Sequence, residues 1–279
     1  EIGNQFVWIP VGEYNVTEEI ERITESVEQD GKLTNNLARR TFTESGTTEV
    51  NGDDAIEGEY SNEYNEYQFY GEGSTQDKNG NSIPTVAQNQ IGAFKTSSIN
   101  NHGFYIGRYE AGTEEERTSL DDTLTVPLVQ ANKNAYVNIS RDNAKKQSEA
   151  MYKDNDYVTS ELISGYAWNT ALNFMCQTNN EGYMLATTTD KSYGNIGTTK
   201  KELTGSYKEN GVESDKHSNI YDFLGNCWEW TTEYSSLKIS PCVSMGGSYY
   251  YGDQYAAYRN YGSGNGNSVG SFRIQLYIK

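Results

Sequence analysis

Short apolar runs near the two ends of the chain predict β-strands. Residues 6–9 read Phe-Val-Trp-Ile and lead into Pro10 and Gly12, a pattern typical of a strand followed by a turn. Residues 104–110 (FYIGRYE) predict a second strand. Residues 269–278 alternate apolar and polar side chains and predict a closing strand. The apolar face of that closing strand consists of Phe272, Ile274, Leu276 and Ile278.

Two segments in the middle of the chain predict helices. Residues 140–152 begin with Ser140, which is a good N-cap residue. Residues 164–176 place four apolar side chains at helical spacing on one face. Those four are Trp168, Ala171, Leu172 and Met175. Two helices among short antiparallel strands and much irregular structure favour an α+β fold, and we expect residues 1–279 to form a single domain.

A long polar segment separates the first two predicted strands. Residues 15–102 are rich in Glu, Asn, Thr, Ser and Gly, and we interpret them as an insertion within the domain. Residues 17–29 predict a short polar helix, and residues 77–81 predict a turn. Several Tyr and Phe residues between 60 and 70 indicate that the insertion packs on the core, because disordered linkers contain few aromatic residues.

Composition and charge narrow the classes of function. The 279 residues carry a formal net charge of -17, with no block of Lys and Arg. Nucleic-acid binding is therefore not expected, since neutralising phosphates needs basic side chains. No apolar run approaches the length of a membrane-spanning helix. The chain opens at Glu1 within a pattern, so we expect that an upstream export signal or anchor was removed and that the protein is extracellular or on the cell surface.

Three cysteines, Cys176, Cys227 and Cys242, leave two arrangements open. Cys227 and Cys242 pair if adjacent strands hold them together, or all three are buried free thiols. The chain has only two histidines and no Cys-x-x-Cys motif, so a structural zinc site is not expected.

Four segments together resemble the formylglycine-generating-enzyme family. They are FVWIPVG at 6–12, FYIGRYE at 104–110, NIYDFLGNCWEW at 219–230, and GGS at 246–248 with Phe272-Arg273. The resemblance covers residues 1–12 and about 103–279, and it implies the C-type-lectin-like fold of that family. It also implies calcium at Asp222, Gly225, Cys227 and Glu229, with backbone carbonyls as ligands at the middle two. Read from the residues alone, Asp222 and Glu229 could instead cap turns through hydrogen bonds.

The residues that carry the catalysis of that family are missing. The family oxidises a cysteine with a cysteine pair placed shortly after GGS, and copper is the cofactor that the resemblance implies. Such chemistry needs thiolates. Residues 249–279 contain no Cys, and Tyr251 and Ala256 stand at the corresponding positions. We therefore expect neither copper nor enzymatic activity.

The segment that follows GGS has the composition of a binding loop. Six of the nineteen residues at 249–267 are Tyr, four are Gly and three are Asn, with no Leu, Ile, Val, Met or Lys. Tyr with Gly, Ser and Asn is the chemistry of antibody combining sites. Ala256-Ala257-Tyr258-Arg259-Asn260 resembles a family segment, so Arg259 is expected to pair internally.

The same segment is similar to the variable region in variable proteins of diversity-generating retroelements, which use this fold. Those elements change adenines in Asn codons, which reaches Tyr, Gly, Ser, Ala, Asp and Asn, but not Gln, Lys, Glu, Met or Trp. The residues at 250–253, 255, 260–265 and 267 obey that restriction. Gln254 does not, and is expected to be fixed. The resemblance thus assigns residues 246–279 as the variable binding region.

We predict a non-catalytic receptor- or adhesin-type protein, bacterial or from a phage, that binds a protein or glycan on another cell or particle. The predicted ligand-binding residues are Tyr250, Tyr251, Asp253, Tyr255, Tyr261, Ser263, Asn265 and Asn267. Two further functions stay open: a fixed lectin-like module that stacks its aromatic rings on sugars, and an oxidase of the parent family. A tyrosine-lined structural loop packed on the insertion is the non-binding alternative.

Overall fold

The computed structural model describes residues 3–15, 31–39, 64–65, 83–178, 184–206, 216–235, 240 and 242–279. The predicted helix at 17–29, the predicted turn at 77–81 and the aromatic side chains between 60 and 70 lie outside the described residues.

The described residues form four helices and fifteen short strands. The helices are α1 (Ile83–Asn100), α2 (Arg141–Ala150), α3 (Gly165–Thr178) and α4 (Met184–Thr187). The strands are β1 (Phe6–Pro10), β2 (Gly12–Asn15), β3 (Lys32–Asn35), β4 (Tyr64–Asn65), β5 (Gly103–Gly107), β6 (Gly112–Thr113), β7 (Asn134–Ala135), β8 (Val158–Leu162), β9 (Lys216–His217), β10 (Ile220–Tyr221), β11 (Trp228–Ser235), β12 (Cys242–Met245), β13 (Arg259–Gly262), β14 (Gly270–Phe272) and β15 (Ile274–Ile278).

The first sheet joins the beginning and the end of the chain. Its strand order is β1-β5-β15-β8, and all neighbours are antiparallel. Ile9, Phe104 and Ile274 are fully buried on it, as expected for the apolar side of alternating strands. The predicted opening, second and closing strands are therefore confirmed. The closing segment is divided, however, because Arg273 separates β14 from β15.

The second sheet carries the tryptophan-rich run. Its strand order is β13-β12-β11-β14, and β4 also pairs with β11. The pairing of β11 with β14 is parallel, so the strands are not all antiparallel as predicted. Because neighbours in a strand point to opposite faces, Trp230 and Glu229 are buried in different surroundings: Trp230 joins an apolar cluster, and Glu229 binds Arg273.

Helices α2 and α3 confirm the two helix predictions. Ser140 caps α2, and its Oγ accepts a hydrogen bond from the backbone N–H of Asn143 at 3.3 Å. Helix α3 lies in the centre of the molecule and is buried on nearly every side. Most of its polar side chains therefore find partners inside the protein; Asn173, for example, donates to Asn35 at 3.0 Å, whereas Nδ2 of Asn169 is buried without a hydrogen-bond partner. The sequence had indicated one apolar face only.

Helix α1 was not predicted, and the expectation of two helices was wrong. Gly92 and the β-branched Thr96 have low helix propensity, so the local sequence gives a weak signal. Tertiary packing stabilises the helix instead. The Phe94 ring lies 5.0 Å from the Phe104 ring of β5 and 5.8 Å from the Tyr277 ring of β15. This end of the 15–102 segment is thus part of the core. Helix α4 was also not predicted.

Two large apolar clusters fill the interior. One surrounds Trp168 of α3, whose ring stacks on Phe223 with centroids 3.9 Å apart. The other lies around Tyr136, Trp230 and Phe272. Among the described residues, no helix is both long and apolar enough to cross a membrane.

Candidate ligand-binding surface

Two glycines carry the chain from β12 to the surface. Gly246 has φ +91° and Gly247 has φ +77°, backbone conformations that favour glycine. A Cβ on Gly246 would lie 3.1 Å from ring carbons of Trp168 in α3. The predicted binding segment therefore starts from a turn that is fitted tightly to the core.

Three consecutive tyrosines follow that turn and form what we term the tyrosine cluster, Tyr249–Tyr251. Tyr250 and Tyr251 meet edge to face, with ring centroids 5.2 Å apart and planes at 86°. Tyr249 and Tyr250 are arranged likewise at 6.5 Å. The side chains of Tyr250 and Tyr251 are 66% and 43% exposed. Large aromatic area is thus presented to solvent in a favourable ring geometry.

Hydrogen bonds fix the backbone of the tyrosine cluster. The backbone N–H of Tyr249 donates to Asn226 O at 2.9 Å. The loop 195–198 holds the other side, where Thr198 N donates to Tyr249 O at 2.6 Å and Gly197 N donates to Tyr251 O at 3.0 Å. The exposed rings therefore stand on a backbone that is already ordered, which lowers the entropy lost on binding.

The next residues return towards the core. Gly252 and Asp253 are exposed, and the ligand-binding role of Asp253 stays a prediction. Tyr255 is half-buried and packs against the cluster around Trp168, and its ring lies 5.4 Å from that of Tyr258. Tyr255 therefore offers less surface to a ligand than the other predicted tyrosines.

Three buried residues anchor the middle of the segment. Ala256 O accepts a hydrogen bond from the indole N–H of Trp168 at 3.0 Å, and Ala257 is also buried. Arg259 Nε donates to a carboxylate oxygen of Glu233 at 2.7 Å. The expected internal pairing of Arg259 is confirmed, and the anchors divide the surface segment into two parts.

The second part runs along residues 138–141. Tyr261 (37% exposed) lies on the edge strand β13. The exposed side chains of Ser263, Asn265 and Asn267 follow, and we term them the polar strip. Backbone N–H groups of residues 138 and 141 donate to the carbonyls of residues 267 and 264 at 2.8 and 2.9 Å. The structure thus places the predicted residues in two groups, each fixed to a different loop.

Sequence reasoning missed the supporting loop at 195–198. The exposed Lys191 donates a hydrogen bond to Gly197 O at 2.7 Å. Gly197 also lies close to the binding segment, because a Cβ on it would be 3.1 Å from Gly252 Cα and 2.9 Å from Lys191 Nζ. Nothing in the polar sequence of this loop signals contact with a segment fifty residues later. Only the fold brings the two together.

Two of the four residues predicted to bind calcium, Asp222 and Glu229, are held by other contacts. Arg273 donates to both carboxylate oxygens of Glu229, at 2.9 and 2.6 Å, and to the backbone carbonyl of Asp222 at 3.3 Å. The side chain of Asp222 accepts the N–H of Gly205 at 2.7 Å. Gly225 has φ +88°, and Cys227 is buried. A calcium site that uses Glu229 fits only if this ion pair opens.

Glu110 is the unusual acid of this region. Its Oε1 accepts a hydrogen bond from Asn226, whereas its Oε2 is buried without a hydrogen-bond partner. Burial raises the pKa of Glu110 well above its ordinary value, and the nearby charges of Asp222 and Glu229 raise it further. No three His, Cys, Asp or Glu side chains of the described residues are grouped to hold a metal ion. Calcium binding at Asp222, Gly225, Cys227 and Glu229 stays a prediction.

The three cysteines are free and buried, so Cys227 and Cys242 do not pair. Burial raises the pKa of Cys176 to about 12 and that of Cys227 well above its ordinary value. These thiols are therefore protonated at neutral pH, and protonated thiols are poor nucleophiles and poor metal ligands.

Comparisons with known proteins found similar solved structures, among them CarF and Treponema denticola variable protein 1. No known protein family and no curated protein matches the sequence. The crystal structure of CarF is 16% identical with a TM-score of 0.43, and the match covers 63% of this chain and 87% of that chain. Treponema denticola variable protein 1 is 14% identical with a TM-score of 0.41, and the match covers 63% of this chain and 85% of that chain. Similarity at this level does not transfer a function or a ligand.

Proposed function

We propose that this chain is a non-catalytic ligand-binding protein of the receptor or adhesin type, displayed outside the cell or on its surface. It contacts its target through the tyrosine cluster and Tyr261, and the polar strip contributes adaptable hydrogen bonds. One observation carries this proposal. Of the eight large hydrophobic side chains that are exposed in the described residues, three are Tyr250, Tyr251 and Tyr261, within a segment of twelve residues.

The tyrosines can supply substantial affinity. A tyrosine side chain buries about 200 Å², so the exposed parts of Tyr250 and Tyr251 together amount to roughly one full tyrosine. At about 25 cal/mol per Å² this contributes at most about 5 kcal/mol on binding. Rings that are exposed on a fixed backbone are typical of the residues that dominate binding energy.

We propose further that the fold is C-type-lectin-like, of the formylglycine-generating-enzyme subtype. The segments that carry the resemblance support this, because they contact one another. Strand β1 pairs with β5, and Arg273 of the closing segment binds Glu229 in the tryptophan-rich run.

Deep sequencing of this locus across a natural population of its host tests the proposal. We expect amino-acid differences to concentrate at 250–253, 255, 260–265 and 267, and to trace to adenines of a template. The buried anchors Ala256, Ala257 and Arg259 should be constant. If codons 250–267 vary no more than codons 225–230, the diversified surface is ruled out.

A fixed lectin-like module is the other outcome. It predicts an invariant segment and inhibition of target binding by a simple sugar, since aromatic faces stack on sugar rings. Once a target of one variant is known, Tyr250→Ser should weaken binding by about tenfold or more. Tyr157→Ser is the matched control, because Tyr157 is 78% exposed but lies beside β8 in the first sheet. Equal effects of the two substitutions would contradict the proposed surface.

A further inference from the structure

The loop between β6 and β7 encloses a cavity that the proposed function does not use. Its volume is about 470 Å³, within the range of roughly 300–1,000 Å³ that is common for small-molecule sites. Val126 and Leu128 give it an apolar wall, together with the methyl groups of threonines. Val126 is 51% exposed, so a ligand that covered it would remove apolar surface from water.

Arg117 holds this cavity in shape. Its guanidinium is buried and all five of its N–H groups have backbone acceptors. Those acceptors are the carbonyl oxygens of Ser119, Asp122, Thr123, Val137 and Asn138, at 2.8 to 3.3 Å. The loop is therefore fastened on both sides of Arg117, and the one cation in the cavity lining has no donor left for an anionic ligand.

The other charged groups of the lining are carboxylates. Glu114 pairs with Lys133 at 2.6 Å, and Glu116 pairs with Lys201 at 2.8 Å. Within the described residues Glu115 makes no ion pair and is exposed.

Asp122 stays ionised at the same cavity. Its Oδ2 accepts the N–H groups of Thr118 and Ser119 at 2.7 and 3.0 Å. Hydrogen bonds from the backbone of Ser119 and Thr118 hold the pKa of Asp122 below its ordinary value. The charge of Arg117 also lowers the pKa of Asp122, so among the described residues Glu115 is the carboxylate of the lining with the least compensation, and Asp122 adds a second negative charge.

We propose that this cavity binds a short aliphatic diamine. The methylene chain would pack on Val126 and Leu128, and the ammonium groups would bind Glu115 and Asp122. An anion is disfavoured because Arg117 is saturated, and a neutral alcohol gains no charge-assisted hydrogen bond. A metal ion is not favoured either, since the described residues hold no cluster of three metal-ligating side chains.

Isothermal titration calorimetry of the full chain tests this inference. Cadaverine is the probe, pentanediol is the neutral analogue of equal length, and glutarate is the anionic analogue. We expect cadaverine to bind about tenfold more tightly than pentanediol, glutarate not to bind, and the affinity for cadaverine to fall with added salt.

Three variants locate the site. Glu115→Gln should raise the Kd for cadaverine about threefold, because it removes one exposed ion pair. Val126→Ala should weaken both cadaverine and pentanediol. Asp156→Asn is the control, since Asp156 is equally exposed but precedes β8, at the other edge of the first sheet. Both tested side chains are exposed, so the variants should keep the melting temperature of the parent.

Two results would overturn the inference. Equal affinity for cadaverine and pentanediol would show that charge does not select the ligand. Equal losses in Glu115→Gln and Asp156→Asn would show only diffuse attraction of a cation to an acidic protein.

Discussion

The glycines of the surface segment should differ sharply in their tolerance of a side chain. Gly252 and Gly262 have open surroundings, because a Cβ would first meet another atom at 3.5 and 3.6 Å. At Gly266 a Cβ would lie 2.5 to 2.6 Å from the backbone N, C and O of Ile139. Backbone atoms cannot swing aside as a side chain can, so Gly266→Ala must move a chain that is hydrogen bonded to its neighbour.

The size of this effect follows from the contact. Relieving it needs a shift of about 1 Å, and overpacking of this kind costs about 1–3 kcal/mol. At about 2–4 °C per kcal/mol, Gly266→Ala should lower the melting temperature by roughly 2–12 °C. Gly252→Ala and Gly262→Ala should stay near the parent, or gain up to about 1 kcal/mol because alanine restricts the unfolded chain.

Thermal and urea unfolding of the three single variants measure this difference, and the parent chain is the reference. Gly264→Ala is a fourth variant with a separate cause, since Gly264 has φ +85° and a Cβ there would lie 2.7 Å from Cys242 Sγ. If Gly266→Ala proved as stable as Gly252→Ala, the close approach of the segment to Ile139 would be wrong. Natural variation should follow the same order, occurring at 252 and 262 and sparing 266.

Three other predictions concern buried ionisable groups. Glu233→Gln should lower the free energy of unfolding, measured in urea, by about 3–5 kcal/mol. The guanidinium groups of Arg39 and Arg259 lie 2.5 and 2.7 Å from the Glu233 carboxylate and would lose the charge that they share. Glu149→Gln removes a partly exposed ion pair and should lower this free energy by less than about 1 kcal/mol. Burial raises the pKa of Glu161 to about 7, so this carboxyl binds more protons in the folded protein than in the unfolded chain. The contribution of Glu161 to the free energy of unfolding should therefore fall as the pH rises from about 4.5 to 7. Glu161→Gln should flatten that decline, and an unchanged pH profile would contradict the raised pKa. The thiols should not react with a disulfide reagent in the native protein, and all three should react in concentrated guanidinium chloride; fewer than three would reveal a disulfide.

Local sequence patterns predicted the elements that carry a local signal in the sequence. The strand at residues 6–9 and the helix that Ser140 caps are visible as a periodicity with its end signal. The internal role of Arg259 was also expected, although only through a resemblance. In each case the residues on which the prediction depended are close neighbours in the chain.

Contacts between distant segments could not be predicted in this way. Arg39 reaches Glu233 across 194 positions, and nothing in the sequence around Arg39 marks it as buried. Helix α1 is similar, since its Phe94 depends on β5 and β15. The loop at 195–198 supports the tyrosine cluster through backbone groups, which are alike in every sequence. Composition therefore predicted which residues would contact a ligand, but it could not predict which contacts hold those residues in place.

The burial pattern of residues 250–267 connects composition with the fold. None of the twelve positions at which we expect variation, 250–253, 255, 260–265 and 267, is buried. Ala256, Ala257 and Arg259, which stand between them, are buried and bonded to the core. The codon restriction alone does not make this separation, because Ala is among the residues that changed adenines reach; burial is what marks Ala256 and Ala257 as anchors. Substitutions at the exposed positions of such a segment would leave its anchors in place, because the buried residues are the ones that bind to the core. Codon chemistry and packing give opposite predictions at Gly264. The codon restriction allows substitution there, whereas a Cβ at this position would lie 2.7 Å from Cys242 Sγ.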